Sequence, residues 1–115
     1  MIFVIDDDEV MARCMARMAK KPVRIFSNAI EAMNAISQDE LPELIFLDIL
    51  LDGPDGFTFL NELISYDDTA RIPIIIVSSL DFKGQDLSSY GVVGVLNKEK
   101  MVPEEIKDYV DRYTK

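Results

Sequence analysis

The chain has no histidine. That removes imidazole general acid–base catalysis, the Ser-His-Asp triad and most transition-metal sites. It has one cysteine, Cys14, so no internal disulfide can form. Set among apolar residues, this thiol is expected in the core. Basic residues are scarce: 12 Lys+Arg against 21 Asp+Glu give a net charge of −9. Such a chain repels nucleic-acid phosphate, which argues against direct DNA or RNA binding. It leaves a solvated acidic face, or affinity for a basic partner surface. Long hydrophobic runs are also missing, and the longest are strand-length, too short to span a membrane. No basic region precedes the N-terminal apolar residues, so no signal peptide is visible and the cytoplasm is the expected compartment.

What is present reads as one domain over residues 1–115, with about half the residues hydrophobic. Buried strands are predicted at 2–5, 23–26, 44–47, 74–77 and 92–96. Helices are predicted between them and after the last. The first covers 9–20, with Asp8 as N-cap and Val10, Met11, Cys14, Met15 and Met18 on its apolar face. The second opens on a capping box of Asn28 and Glu31 and runs through Ile30, Met33 and Ile36. The third, at about 57–65, turns Phe57, Leu60, Leu63 and Ile64 inward after the turn-forming run DGPDG at 52–56. A weak helix over 83–90 ends at Gly91. The last begins at Pro103 and carries Ile106, Tyr109, Val110 and Tyr113 on one side. Five β-α repeats with apolar strands covered on both faces imply an α/β fold. It is a five-stranded parallel sheet, doubly wound as a (βα)5 three-layer, flavodoxin-like sandwich. The last helix runs nearly to Lys115, leaving no room in this sequence for an output domain.

Ligands of such sheets bind beyond the carboxyl ends of the strands. At those ends stand Asp6-Asp7-Asp8, Asp48, Ser78 and Lys98. Two carboxylates about 4 Å apart repel by roughly 4 kcal/mol at an effective dielectric near 20. A group of three would raise one pKa or recruit a cation, and oxygen ligands alone suit Mg²⁺. Each member has a plainer reading by itself: the aspartates as helix caps, Ser78 as a hydrogen-bonding cap, Lys98 as a solvated surface charge. Together, Ser78 and Lys98 supply a donor and a fixed positive charge for phosphoryl oxygens.

The segments IFVIDDDEVM, LIFLDILLDGPDGFTFL, IPIIIVSSLD and VVGVLNK, with the spacings from Asp7 to Asp48, Ser78 and Lys98, resemble the receiver domain of bacterial two-component response regulators, in a chemotaxis-regulator-like form. The resemblance covers nearly the whole chain. It implies that Asp48 is the phosphoacceptor. Asp7 ligates Mg²⁺ directly, Asp6 does so directly or through water, and the Leu50 carbonyl is a third protein ligand. Ser78 and Lys98 hold the phosphoryl group, and Asp8 stays a helix cap. The resemblance further implies a sensor histidine kinase or phosphotransfer protein as donor and a downstream effector or output domain. It implies no turnover of external substrates.

Three positions depart from the family pattern. Asp52 stands where proline is usual after the acceptor, and Val95 where the fifth strand usually carries an aromatic switch residue. Glu99 follows Lys98 in place of proline; since a cis bond without proline costs about 3 kcal/mol, a trans peptide is expected. These changes fall largely on the surface of the predicted 83–90 helix, the fifth strand and the last helix, which in the family commonly serves dimerisation or output. Ser79 is small enough to leave access beside Ser78, while apolar Leu50 and Leu80 are expected to hinder the hydrolytic water. Val95 and Glu99 would suit a phosphorylation-independent pseudo-receiver, against which the intact acidic set, Ser78 and Lys98 argue. A small Mg²⁺-dependent phosphohydrolase would need an Asp-x-Asp pair after the strand bearing Asp48, and a flavodoxin-like cofactor binder a Ser/Thr/Gly-rich loop after the first strand. The chain has neither.

Overall fold

A computed structural model describes residues 1–38, 40–49, 56–79 and 87–114. Within them the order is β1 (Ile2–Ile5), α1 (Glu9–Ala19), β2 (Val23–Phe26), α2 (Ala29–Ser37), β3 (Leu44–Leu47), α3 (Gly56–Ile64), α4 (Asp67–Ala70), β4 (Ile74–Ser78), a 3-10 turn (Ser88–Tyr90), β5 (Val92–Asn97) and α5 (Pro103–Tyr113). All strand pairs are parallel, in the order β2-β1-β3-β4-β5. This is the doubly wound α/β sandwich that the β-α alternation predicts.

The three central strands are buried at every position, as unbroken apolar runs require. The edge strands are only partly covered: Arg24 and Ile25 on β2, and Val93 and Val95 on β5, reach solvent. Alternate side chains feed two cores. Phe3, Ile5, Ile45, Leu47, Ile74 and Ile76 pack under α2 and α3. Ile2, Val4, Leu44, Phe46, Ile75 and Val77 pack under α1 and α5.

The helices begin where their caps predict. Asp8 Oδ1 accepts from the Met11 N–H at 3.1 Å, and Asn28 Oδ1 from the Glu31 N–H at 2.9 Å. Their buried faces differ from expectation in detail. α1 buries Ala12, Met15 and Ala19, half-buries Met11, Cys14 and Met18, and leaves Val10 73% exposed. At 3.6 residues per turn, Val10 lies about 140–200° around from the buried three, so it faces away from the sheet rather than joining the expected apolar face. α2 seats Ala29, Ala32, Ala35 and Ile36 against the sheet and leaves Ile30 exposed. α3 buries Phe59, Leu60 and Leu63, with Phe57 half-buried and Ile64 at the surface.

The sequence pattern does not announce α4, a single turn in which the buried Thr69 hydroxyl donates to the Leu63 carbonyl. Most of the helix expected over 83–90 lies outside the described residues. Its end is the 3-10 turn, closed by Gly91 at φ 81°. In α5, Ile106 and Val110 are buried and Tyr109 and Tyr113 half-buried, as predicted.

Candidate functional site

The β1/β3 register pairs Ile5 with Leu47, so Asp6 and Asp48 are the next residues out on adjacent strands. Backbone bonds carry this alignment past the strand ends: Asp48 N–H donates to the Ile5 carbonyl at 2.9 Å, and Asp6 N–H to the Phe26 carbonyl at 3.0 Å. Both aspartates are buried, at 2% and 5% exposure, while Asp7 is exposed. One carboxylate oxygen from each of Asp6, Asp7 and Asp48 falls within 4.8 Å of the others.

Lys98 arrives from the far end of β5. Its Nζ donates to Asp48 Oδ2 at 2.9 Å and to Asp6 Oδ1 at 3.3 Å. Asp6 Oδ2 is 3.0 Å from the same ammonium but off the hydrogen-bonding direction, and has no hydrogen-bond partner. Asp6 Oδ1 also accepts from the Asp8 N–H at 2.9 Å. Burial pushes the Asp6 pKa up, and the Asp8 N–H and Lys98 recover only part of that shift. Burial alone would lower the Lys98 pKa. Its hydrogen bonds to Asp48 and Asp6 outweigh that effect and raise it, so the ammonium is a fixed charge.

The Lys98–Glu99 peptide is trans, as expected without proline. Lys98 nonetheless reaches both aspartates. The turn that follows is tied to Asn97, whose Oδ1 accepts from the Glu99 N–H at 2.8 Å and whose carbonyl accepts from the Met101 N–H at 2.8 Å. Ser78 is fully buried at the end of β4, and its carbonyl accepts from the Lys98 N–H at 3.0 Å. The backbone thus places Ser78 beside Lys98 at the same sheet edge. Val95 is 40% exposed on β5. The expected Leu50 ligand, Asp52 and the rest of the acceptor loop through Asp55, and the flank formed by Leu50 and Leu80 lie outside the described residues.

Two positioning features went unread in the sequence. A Cβ on Gly56 would come within 2.6 Å of Ile49 Cδ1 and 2.8 Å of Ile49 Cα, and Gly56 N–H donates to the Ile49 carbonyl at 3.3 Å. Only glycine lets α3 start this close to the residue after Asp48. The Asp55-Gly56 pair signals a turn but not this contact. The second feature is the Asn97 turn, for which the sequence carries no distinctive signal.

The acidic set fits a divalent cation. Three convergent carboxylates, one oxygen of them buried without a hydrogen-bond partner, form a hard oxygen donor set of the kind Mg²⁺ and Mn²⁺ take. A lysine beside them offers the complementary charge for a bound phosphoryl oxygen.

The chain matches the response regulator receiver domain family over residues 2–111 and belongs to it. It is similar to the response regulator PleD of Caulobacter vibrioides, at 31% identity over 85 residues. That alignment takes 72% of this chain and 19% of PleD. The chain is also similar to a protein-glutamate methylesterase/protein-glutamine glutaminase of Geobacter metallireducens, at 27% identity over 108 residues, which take 87% of this chain and 30% of that protein. Among solved structures, the receiver domain of NtrX from Brucella abortus superposes with a TM-score of 0.82 at 24% identity, covering 98% of this chain and 97% of that one. The receiver domain of the sensor histidine kinase PA1611 from Pseudomonas aeruginosa, with a magnesium ion coordinated in its active-site cleft, gives 0.80 at 20% identity over 97% and 94%. At these identities the structural likeness establishes the shared fold. The chain is a receiver domain, a phosphoacceptor module of two-component signalling. Among the described residues, no helix is long and apolar enough to cross a membrane.

Proposed function

We propose that Asp48 is the phosphoacceptor of this receiver domain and takes its phosphoryl group from the phosphohistidine of a sensor histidine kinase or phosphotransfer protein. The observation that carries the reading is the Lys98 ammonium held between the buried carboxylates of Asp48 and Asp6. A carboxylate oxygen of Asp48 attacks phosphorus in line. The O–P bond forms as the P–N bond breaks, and the imidazole leaves with the electron pair and takes up a proton. Lys98 supplies positive charge to the transferred oxygens, and the Ser78 hydroxyl a hydrogen bond. Asp6, Asp7 and Asp48, with the Leu50 carbonyl, would hold Mg²⁺, which when bound neutralises charge on those oxygens.

The chain acts on itself rather than turning over external substrates, works in the cytoplasm, and passes its signal to a downstream effector or output domain by protein contact. It makes no contact with nucleic acid, in keeping with its net charge of −9. Fluorine NMR of the protein with beryllofluoride and Mg²⁺ tests this reading. A bound fluoride signal that disappears in Asp48→Asn is expected. A signal that persists in that variant would place the acceptor elsewhere.

A further inference from the structure

We infer that the groove between α2 and α3 is a docking site for a Lys/Arg-rich amphipathic helix of a partner protein. Two contiguous depressions of about 200 and 310 Å³ run along it, sharing Met33 and Glu62 as common walls. The floor is apolar, from Ala29, Phe59 and Ile36. Along the rim, Ile30 is 54% and Tyr66 59% exposed. Ile30 is the residue that helical periodicity assigns to the core. The small side chains Ala29, Ala32 and Ala35 take that place and leave Ile30 on the groove. α2 has nine residues, about 13 Å of helix axis, so the groove suits a helix of two to three turns presenting apolar anchors at i, i+3, i+4 and i+7.

The charge around it selects the partner. Residues 25–70, which supply every wall of the groove, contain ten of the 21 acidic residues and none of the 12 basic ones. That stretch carries −10 and the rest of the chain +1. Arg24, just outside it, pairs with Glu40, and the terminal amine pairs with Glu43. Among the described residues no Lys or Arg pairs with Glu62 or Asp68, which line the groove itself. An apolar floor walled by Glu62 and Asp68, neither paired with a cation among the described residues, complements a helix that is apolar on one side and cationic on its flanks. A second copy of this chain is a poor occupant, since two chains of −9 repel.

The site does not depend on phosphoryl chemistry, and its test runs equally well in Asp48→Asn. The probe is a fluorescent peptide of about 18 residues with Leu on one helical face and Lys on the other. Affinity is followed by anisotropy, and the contact surface by methyl NMR of Ile and Met. The expected result is binding that weakens with salt and shifts the Ile30, Met33 and Ile36 methyls. The surface double variant Glu62→Lys/Asp68→Lys, verified as folded by circular dichroism, should lose affinity at least about tenfold. The inference is overturned by absence of binding, by equal affinity for a Leu/Glu peptide, by unchanged affinity in the double variant, or by shifts confined to β5 and α5. Concentration-dependent self-association that the double variant abolishes would assign the groove to a second copy and also overturn it.

Discussion

Lys98 Nζ donates to Asp48 Oδ2 at 2.9 Å across two strands that do not touch: β3 and β5 are separated by β4. The contact spans the sheet edge above Ser78, whose carbonyl holds the Lys98 N–H. Lys98→Met removes the cation from between two buried carboxylates. Breaking a fully buried pair costs about 3–5 kcal/mol; with the Lys98 side chain 18% exposed, about 2 kcal/mol is expected. Urea denaturation with and without Mg²⁺ checks this, since a divalent cation should restore more stability to the variant than it adds to the wild type.

Asp6 is expected to cost the metal-free protein stability. Its pKa is raised by burial, so the folded state favours the protonated form. Stability from this group is therefore full below the ordinary value of 3.8 and is lost as pH rises through the raised one. Lys98, also raised, loses its contribution only as pH climbs past 10.5. Asp6→Asn should remove this loss of stability with rising pH and raise metal-free stability at pH 7, while weakening Mg²⁺ binding. Thermal melts across pH and a cation titration give both numbers.

Asp7 and Asp8 should separate cleanly. Asp8 caps α1, and Asp8→Ala is expected to cost about 1 kcal/mol with cation affinity nearly unchanged. Asp7 is exposed and joins the acidic set, so Asp7→Ala should leave stability within about 0.5 kcal/mol and sharply reduce cation affinity. Paired melts and cation titrations of the two variants would show the reverse pattern if Asp8 were the ligand.

Gly56→Ala sets a Cβ against the backbone of Ile49. Overpacking of this kind costs about 1–3 kcal/mol. Because Ile49 follows Asp48, the variant should also slow phosphoryl uptake under conditions where it is still folded. Equal uptake rates at matched folded fraction would detach the α3 start from the site.

The sheet order follows from what the sequence shows plainly: apolar runs of strand length alternating with helical stretches, closed by right-handed crossovers. The site was legible for the same reason, since strand ends in a parallel sheet share one edge, and Asp6, Asp48 and Lys98 meet there. Ser78 was placed at that edge by the same logic, and its backbone lies beside Lys98. Helix faces were less legible. Val10, Ile30 and Ile64 were assigned to apolar faces yet reach solvent; on α2 the sheet accepts the small Ala29, Ala32 and Ala35 in place of Ile30, because alanine allows closer approach than a branched side chain. The Lys98 loop was unreadable in another way. The missing proline predicts the trans peptide that the structure has, but not the turn, which is set by Asn97 Oδ1 accepting from the Glu99 N–H, a contact with no sequence signature.

Intact mass after incubation with acetyl phosphate, with and without Mg²⁺, in wild type and Asp48→Asn, addresses the central claim most directly. A single phosphoryl adduct that requires both the cation and Asp48 is predicted. An adduct that survives Asp48→Asn, or that forms equally well without any divalent cation, would contradict the account.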